Sequence, residues 1–556
     1  MAAFFQKAAA FIVSALLTLF SFWPAFTDCL SDATNNYDFA VDAAKIGAVY
    51  GNKLSNINSW SAQGVPAQSD FIESDPMQFV EYIQLMQCTG GSAERDLFLD
   101  PYDRSVKDDY NFAPLIAACE NVLALGAKPH LKTGNVPLKL TTDPKLGVFG
   151  VNVYPPDDYN EYFTYIAAIT QALAARFGLA EVQSWRFGVL TEYENKDWFY
   201  AKSETPQDSF VAYCKLYDYT LAALQSVLGE NVDIGAHSMS VAEGLWDEGK
   251  FIEHCAKGTN YYTGQIGSRL CFLSASYYDS NTDKLSDRNV VQVLEALRSK
   301  AQSVGLDNLI YGVDEGRILS GTKGKDDSAL NLRIVGHSYQ AAYDARMLTM
   351  LSRAGFDYFS SWGYLSGGLF SGYPSVAYHV ADRYAALLAD KAAAETAVQK
   401  TGYMQDTEVD VLAGTDSASG NVSLMAYNFR PKLAHERSAD VTVSVKLPEG
   451  YGASATVTEY RVDNSANYFD EWMQDRARLG ISDDAFAWSP DDPALDTWTT
   501  LNAQWARDLY YSELRAGYIE AARLIPTTRE VPVTDGRITL TFPLGANTAV
   551  FFDIVK

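Results

Sequence analysis

Two glutamates follow apolar, strand-like runs at places where both could meet one pocket. Trp185-Arg-Phe-Gly-Val-Leu190 leads into Thr191-Glu192-Tyr193-Glu194-Asn195, and Leu309-Ile-Tyr-Gly-Val313 leads into Asp314-Glu315-Gly316-Arg317. Two carboxylates over one pocket can divide labour: one protonates a leaving oxygen while the other attacks an anomeric carbon. The chain holds 69 Asp and Glu, so position at a strand end, and not residue type, singles these two out. Spacing alone leaves alternatives open. A strand-end Glu can also bond a helix N-terminus or pair with Lys, and Glu194 and Asp314 compete for the same roles.

Strand ends are reactive positions only in a fold that gathers them. From about residue 44 to 395 short apolar runs alternate with helical periodicity: Ile46–Tyr50, Asp96–Leu99, Pro129–Thr133, Trp185–Leu190, Val232–His237, Cys271–Ser276, Leu309–Asp314 and Tyr358–Trp362. Between them, Asp75-Pro76 reads as the start of a helix burying Phe79, Tyr82, Ile83 and Met86. Leu115, Ile116, Cys119, Val122 and Leu123 mark a second helix, ended by Gly126. Tyr162, Ile166, Ile169 and Leu173 mark a third, ended by Gly178. Eight strands each followed by a helix predict an α/β fold, a (β/α)8 TIM barrel with reactive groups at the C-terminal strand ends. The absence of a Gly-rich phosphate turn after the early strands argues against a doubly wound sheet. Beyond residue 400, Val441, Val443, Val445 and Leu447 alternate with polar residues and Asp535-Gly536 reads as a hairpin turn. Residues 400–556 are therefore expected to form a C-terminal antiparallel β-sandwich, interrupted by a Trp-rich, helix-like excursion over 466–525.

Composition narrows the partners. A chain of 556 residues with 47% hydrophobic and 20% charged residues is globular and has room for two or more domains. A formal net charge of −25 excludes nucleic acid as a natural partner, since phosphates are bound mainly through Lys and Arg. With 34 Tyr and 10 Trp, aromatic faces suited to sugar rings are plentiful. Six scattered cysteines without a CxxC pair fit neither a disulfide framework nor zinc, and buried free thiols are expected. Six histidines, unclustered at strand ends, give no metal pattern, so neither metal nor cofactor is expected. Residues 1–27, with Lys7 before the apolar run Ala8–Phe26, read as a secretory signal or an uncleaved anchor. Either would put the folded part outside the cytoplasm, secreted or at the cell surface, with membrane contact only through an anchor.

Trp185-Arg-Phe-Gly-Val-Leu-Thr-Glu192 resembles the W-x-F-E-V-W-N-E acid/base motif of glycoside hydrolase family 39, in clan A of the retaining glycosidases. Asp158-Tyr-Asn-Glu-Tyr-Phe-Thr-Tyr-Ile with Ala175-Arg-Phe-Gly178 is similar to the family's preceding helix. Tyr110-Asn-Phe-Ala-Pro-Leu-Ile and Gly126-Ala-Lys-Pro-His-Leu131 are similar to its approach to strand three. Ile310-Tyr-Gly-Val-Asp-Glu315 falls where the family keeps its nucleophile, and Tyr358-Phe-Ser-Ser-Trp362 resembles its eighth strand. Tyr460-Arg-Val-Asp-Asn-Ser-Ala-Asn467, followed by Trp472, is similar to the I-D-x-x-x-A-N segment of its sandwich.

The resemblance implies Glu192 as general acid/base and Glu315 as nucleophile of a retaining double displacement. It implies Tyr278 beside the nucleophile and Trp362 as a stacking platform under the sugar. Arg317 is open to holding Glu315 ionised or to a surface pairing. His130 and Lys132 close the third strand and are expected to point in opposite directions, one of them lining the pocket as a ligand for a sugar hydroxyl. Three departures put the sugar in doubt. Thr191 stands where the family's Asn bonds the 2-hydroxyl, Arg95-Asp96-Leu97 replaces its Arg-x-His, and Ser276-Tyr277-Tyr278 replaces its strand-six histidine. The family covers β-xylosidases, α-L-iduronidases and enzymes acting on arabinofuranosyl units. Asp279 after Tyr278, where an iduronidase keeps Lys, and the acidity of the chain rank an iduronidase last and favour a neutral plant-type glycan, β-xylosidase-like or arabinofuranoside-related; exo action is what the family resemblance implies. The rival readings are a carbohydrate-binding barrel without catalysis and a metal-dependent barrel hydrolase.

Overall fold

The computed structural model describes residues 36–60, 65, 79–240, 243–279, 285, 287–318, 339–360, 375–401, 408–431, 437–479 and 508–556. The apolar N-terminal segment, Cys29, the Asp75-Pro76 signal, Trp362 and residues 480–507 of the 466–525 excursion lie outside the described residues, as does the side chain of Arg317.

Strands β2 (Asn56–Ser59), β3 (Tyr82–Leu85), β4 (Lys128–Thr133), β5 (Arg186–Val189), β6 (Asp233–Ser238), β7 (Phe272–Asp279), β8 (Ile310–Ile318) and β9 (Tyr358–Phe359) pair in that order. All seven pairings are parallel. The ends of this sheet meet: Phe359 N donates to Lys53 O at 2.6 Å, and Asn58 Nδ2 to Asp314 O at 2.8 Å. The result is a nearly closed, eight-stranded parallel barrel.

Helices connect the strands, and their ends are written in the sequence. Tyr159–Phe177 starts where the Asp158 side chain accepts from Asn160 N and stops at Gly178, whose φ is 92°. Pro206–Leu228 opens on Thr205 with proline in its first turn. Val290–Ser303 opens on a reciprocal capping box between Asn289 and Gln292.

The first two barrel strands differ from expectation. Ile46–Tyr50 belongs to the end of β1 (Asn36–Val49), a strand of the other sheet, because an apolar run does not say which sheet it joins. Asp96–Leu99 is a loop that contributes only the bridge Phe98–Tyr110. The second barrel strand is Tyr82–Leu85, expected as a helix. Ile83, Gln84 and Leu85 are all buried, and a strand covered on both faces loses the alternation that would have announced it.

The barrel interior is polar. Gln84, His130, Lys132, His237, Ser274 and Asp314 are all buried. Gly188 makes room for the histidines, since a Cβ there would lie 2.0 Å from His237 Nε2 and 3.2 Å from His130 Nε2. Arg186 lies over the rings of Tyr82, Phe272 and Tyr358 and bonds Asp233 at 3.1 Å.

A second sheet has nine strands, adding to β1 the strands β10 (Ala392–Thr401), β11 (Glu408–Thr415), β12 (Val422–Phe429), β13 (Ala439–Lys446), β14 (Ser454–Val462), β15 (Thr527–Pro532), β16 (Arg537–Leu544) and β17 (Ala549–Val555). Their order is β15-β14-β17-β12-β11-β10-β1-β13-β16. One core joins Val41, Val443 and Leu540 with Val411, Leu424 and Phe552. This unit is neither wholly C-terminal nor wholly antiparallel: β1 supplies a central strand and runs parallel to β13. Two compact units result. One comprises Met1–Ala48, described from residue 36, with Lys391–Arg461 and Pro526–Lys556; the other comprises Val49–Asp390 with Val462–Ile525. Val462–Ile525 thus groups with the barrel, where Ala522 O accepts from His379 Nε2 at 2.6 Å.

Candidate active site

Glu192 sits in the turn that ends β5. The backbone there is left-handed at Leu190 (φ 60°) and at Glu192 (φ 46°), which non-glycine residues adopt only under local constraint. The constraint is visible. Leu190 N donates to Thr133 O at 2.7 Å, and Gly134, at φ 105°, leaves the space that Leu190 fills; a Cβ on it would stand 2.8 Å from Leu190 Cγ.

Glu315 reaches the same place from β8. The β7–β8 register slips by one residue: Ala275 pairs with Val313, but Ser276 pairs with Glu315. Asp314 is the extra residue of a bulge, which resets the alternation of the strand. Asp314 and Glu315 therefore both face the barrel axis.

Glu315 accepts three hydroxyl hydrogen bonds. Thr191 Oγ1 donates to its Oε1 at 2.6 Å, Ser276 Oγ to Oε1 at 3.1 Å and Tyr278 OH to Oε2 at 3.1 Å. Glu192 Oε2 accepts from Asn195 Nδ2 at 2.6 Å. Burial, and then the negative charge of Glu315, push the Glu192 carboxyl up to about 8 against the pull of Asn195 and Ser276. One partly buried acid that holds its proton thus faces a second carboxylate held by three donors. That arrangement can protonate a leaving group on one side and attack on the other.

The competing carboxylates have other engagements. Glu194 turns to the end of β6, where Oε1 accepts from Ser238 Oγ at 2.5 Å and Met239 N at 2.9 Å, and burial pushes it up to about 7. Asp314 Oδ2 pairs with Lys132 Nζ at 2.6 Å, deep in the barrel, and burial pushes it up to about 6.

The expected ligands fall in different places. His130 and Lys132 do not point in opposite directions: residues two apart on a strand share a face, and both point inward. His130, fully buried, packs against His237 and Phe272. Lys132, 1% exposed, bonds Thr191 Oγ1 at 3.0 Å besides Asp314. The Thr191 hydroxyl is directed at Glu315. Arg95 lies in the loop after β3, bonded to Gln87 Oε1. Tyr278 touches Glu315, as above.

An aromatic group beside Tyr278 was not anticipated. Trp60, Phe149 and Trp198 cluster with Met86 and Val151, and Tyr278 packs against them. Phe149 and Trp198 stack with ring centroids 4.3 Å apart. Trp60 directly follows β2, so the strand-end rule points to it once the first strand is correctly placed. Among the described residues no set of three or more His, Cys, Asp or Glu is arranged to hold a metal ion. Five cysteines are free thiols, four of them buried, and no described helix is long and apolar enough to cross a membrane.

Residues 97–367 match glycosyl hydrolases family 39. A β-xylosidase of Geobacillus stearothermophilus is 25% identical over 272 residues, 47% of this chain and 49% of its own length. An α-L-iduronidase of Mus musculus is 28% identical over 126 residues, 21% of this chain and 18% of its own. The chain thus spans about half the length of the first of these relatives and less of the second. The fold is similar to that of the GH39 enzyme from Xanthomonas axonopodis pv. citri, with a TM-score of 0.63 at 16% identity, over 93% of this chain and 97% of that one.

Proposed function

We propose that this chain, whose residues 97–367 match glycosyl hydrolases family 39, is a retaining glycoside hydrolase with Glu192 as general acid/base and Glu315 as nucleophile. One observation carries the assignment: Glu315 is held by the hydroxyls of Thr191, Ser276 and Tyr278, and its charge helps to keep Glu192 protonated. In the first step Glu315 attacks the anomeric carbon as Glu192 gives its proton to the departing oxygen. In the second, Glu192 takes a proton from a water whose oxygen attacks the anomeric carbon and displaces the Glu315 carboxylate, which releases the sugar with its configuration retained. The hydroxyls of Thr191, Ser276 and Tyr278 hold Glu315 in line for attack.

The substrate class follows from charge. Lys132 is the one cation, among the described residues, bonded to this carboxylate network, and Asp314 neutralises it. That supports a neutral sugar over a uronate; by analogy with the family we read the enzyme as exo-acting and β-xylosidase-like or arabinofuranoside-related. Trp60, Phe149 and Trp198 would offer apolar ring faces beside Tyr278. We also read the nine-stranded sheet as folded over its core in the manner of a β-sandwich. Purified protein incubated with aryl pentosides, hexosides, furanosides and uronides tests the reading. Release from a neutral glycoside supports it; release from uronides alone overturns the substrate class, and none at all overturns the activity.

A further inference from the structure

Lys132 is a cation inside the barrel, 1% exposed. A buried charge of this kind persists only when paired and hydrogen-bonded. Its bonds go to Asp314 Oδ2 at 2.6 Å and Thr191 Oγ1 at 3.0 Å. An ammonium donates and never accepts. The Thr191 oxygen is therefore an acceptor towards Lys132, and its single proton is free for Glu315 Oε1, 2.6 Å away.

We propose that Lys132 is a positioning residue for the nucleophile: with Asp314 as its counter-charge, it commits the Thr191 hydroxyl as a donor to Glu315. This rests on the hydrolase reading above. The ammonium alone, so near Glu315, would draw on its negative charge and blunt its attack; Asp314 alone would repel that charge. Together they leave a neutral pair whose remaining effect is orientation. The backbone fixes the pair, because Asp314 O accepts from both Asn58 Nδ2 and Gln84 Nε2.

The titratable groups around Glu315 come from each packed strand among the described residues. They are Lys132 on β4, Glu192 after β5, His237 on β6, Tyr278 on β7 and Asp314 on β8 itself. His237 stands 3.4 Å from Asp314, and burial, reinforced by Lys132, holds it neutral.

The test uses full-length Lys132→Met, Asp314→Asn and the double variant, with kcat/KM followed against pH on an aryl glycoside whose leaving group needs no protonation. Asp314→Asn leaves the Lys132 ammonium without its counter-charge, so the acidic limb should move down by about one pH unit or more. In Lys132→Met the buried Asp314 takes up a proton, so the limb should stay within about half a unit while kcat falls about tenfold. The double variant should bring the limb back near the wild type. Its kcat should still fall about tenfold, with KM within about twofold, because the Thr191 proton is no longer directed. Should the single variants fail to fold, the double variant decides, and a wild-type kcat there overturns the proposal. An acidic limb that stays put in Asp314→Asn and a wild-type kcat in Lys132→Met, with only the melting temperature lowered, make Lys132–Asp314 a structural ion pair and overturn this inference alone. A wild-type protein that cleaves no glycoside overturns the hydrolase reading, and this inference with it.

Discussion

Asp314 and Glu315 are neighbours in the chain and both point into the barrel, because the β7–β8 register slips between them. In an unbroken strand one of the two would face the surrounding helices. The bulge instead stacks two roles on one strand end, with Asp314 below, neutralising Lys132, and Glu315 above, held by three hydroxyls.

That geometry predicts the stereochemistry. In an experimental structure the carboxyl carbons of Glu192 and Glu315 should lie roughly 5 to 5.5 Å apart, and proton NMR of early product should show the substrate's anomeric configuration. A gap beyond about 8 Å, with an inverted product, would mean that an activated water attacks instead.

Removing each glutamate separates their chemistry. Glu192→Ala keeps its nucleophile, so substrates with good leaving groups should form the glycosyl-enzyme and then stall. Azide should restore turnover with retained configuration. In Glu315→Ala, azide entering the vacated space should yield a glycosyl azide of inverted configuration. Near-wild-type rates on a natural glycan in either variant would move the role to Glu194 or Asp314.

The pH profile follows from Glu192. Its carboxyl is raised to about 8, so activity on substrates needing acid catalysis should fall as pH rises through that value. Asn195 Nδ2 favours the ionised form by donating to it. Asn195→Ala should therefore move the alkaline limb upward, by roughly half a pH unit or more. A downward shift would mean that the limb belongs to another group.

Stability carries a second signature. Glu194 is raised from 4.5 to about 7 by burial, so the fold holds it neutral where the unfolded chain ionises. Its contribution to stability is fully present below about pH 4.5 and is lost as pH rises towards 7. Over that span the loss amounts to roughly 3 kcal/mol. Glu194→Gln keeps an oxygen for Ser238 and the backbone N–H groups while removing the titration. Denaturant melts at pH 5 and pH 8 should show a smaller difference for the variant than for the wild type; equal differences would show that Glu194 is not the source.

Much of the site was legible in the residues themselves. Strands three to seven of the barrel, the helices ended by Gly126 and Gly178, and the two strand-end glutamates rest on local signals. Apolar runs, helical periodicity and glycine stops act over a few residues, so the sequence displays them directly. The first two strands were not legible, since the covered strand Tyr82–Leu85 lacks alternation and β1 serves another sheet. Nor was the pairing of side chains across the barrel. Sequence alone determined which residues could do chemistry: Glu192, Glu315, Lys132, Thr191 and Tyr278. Tertiary structure decided which of them meet. It made the Thr191 hydroxyl a donor to Glu315 instead of leaving it open to a ligand, and it matched Lys132 to an aspartate 182 positions away. The physical reason is that a charge or a hydroxyl takes its role from its neighbours within about 3 Å, and in a barrel those neighbours come from other strands.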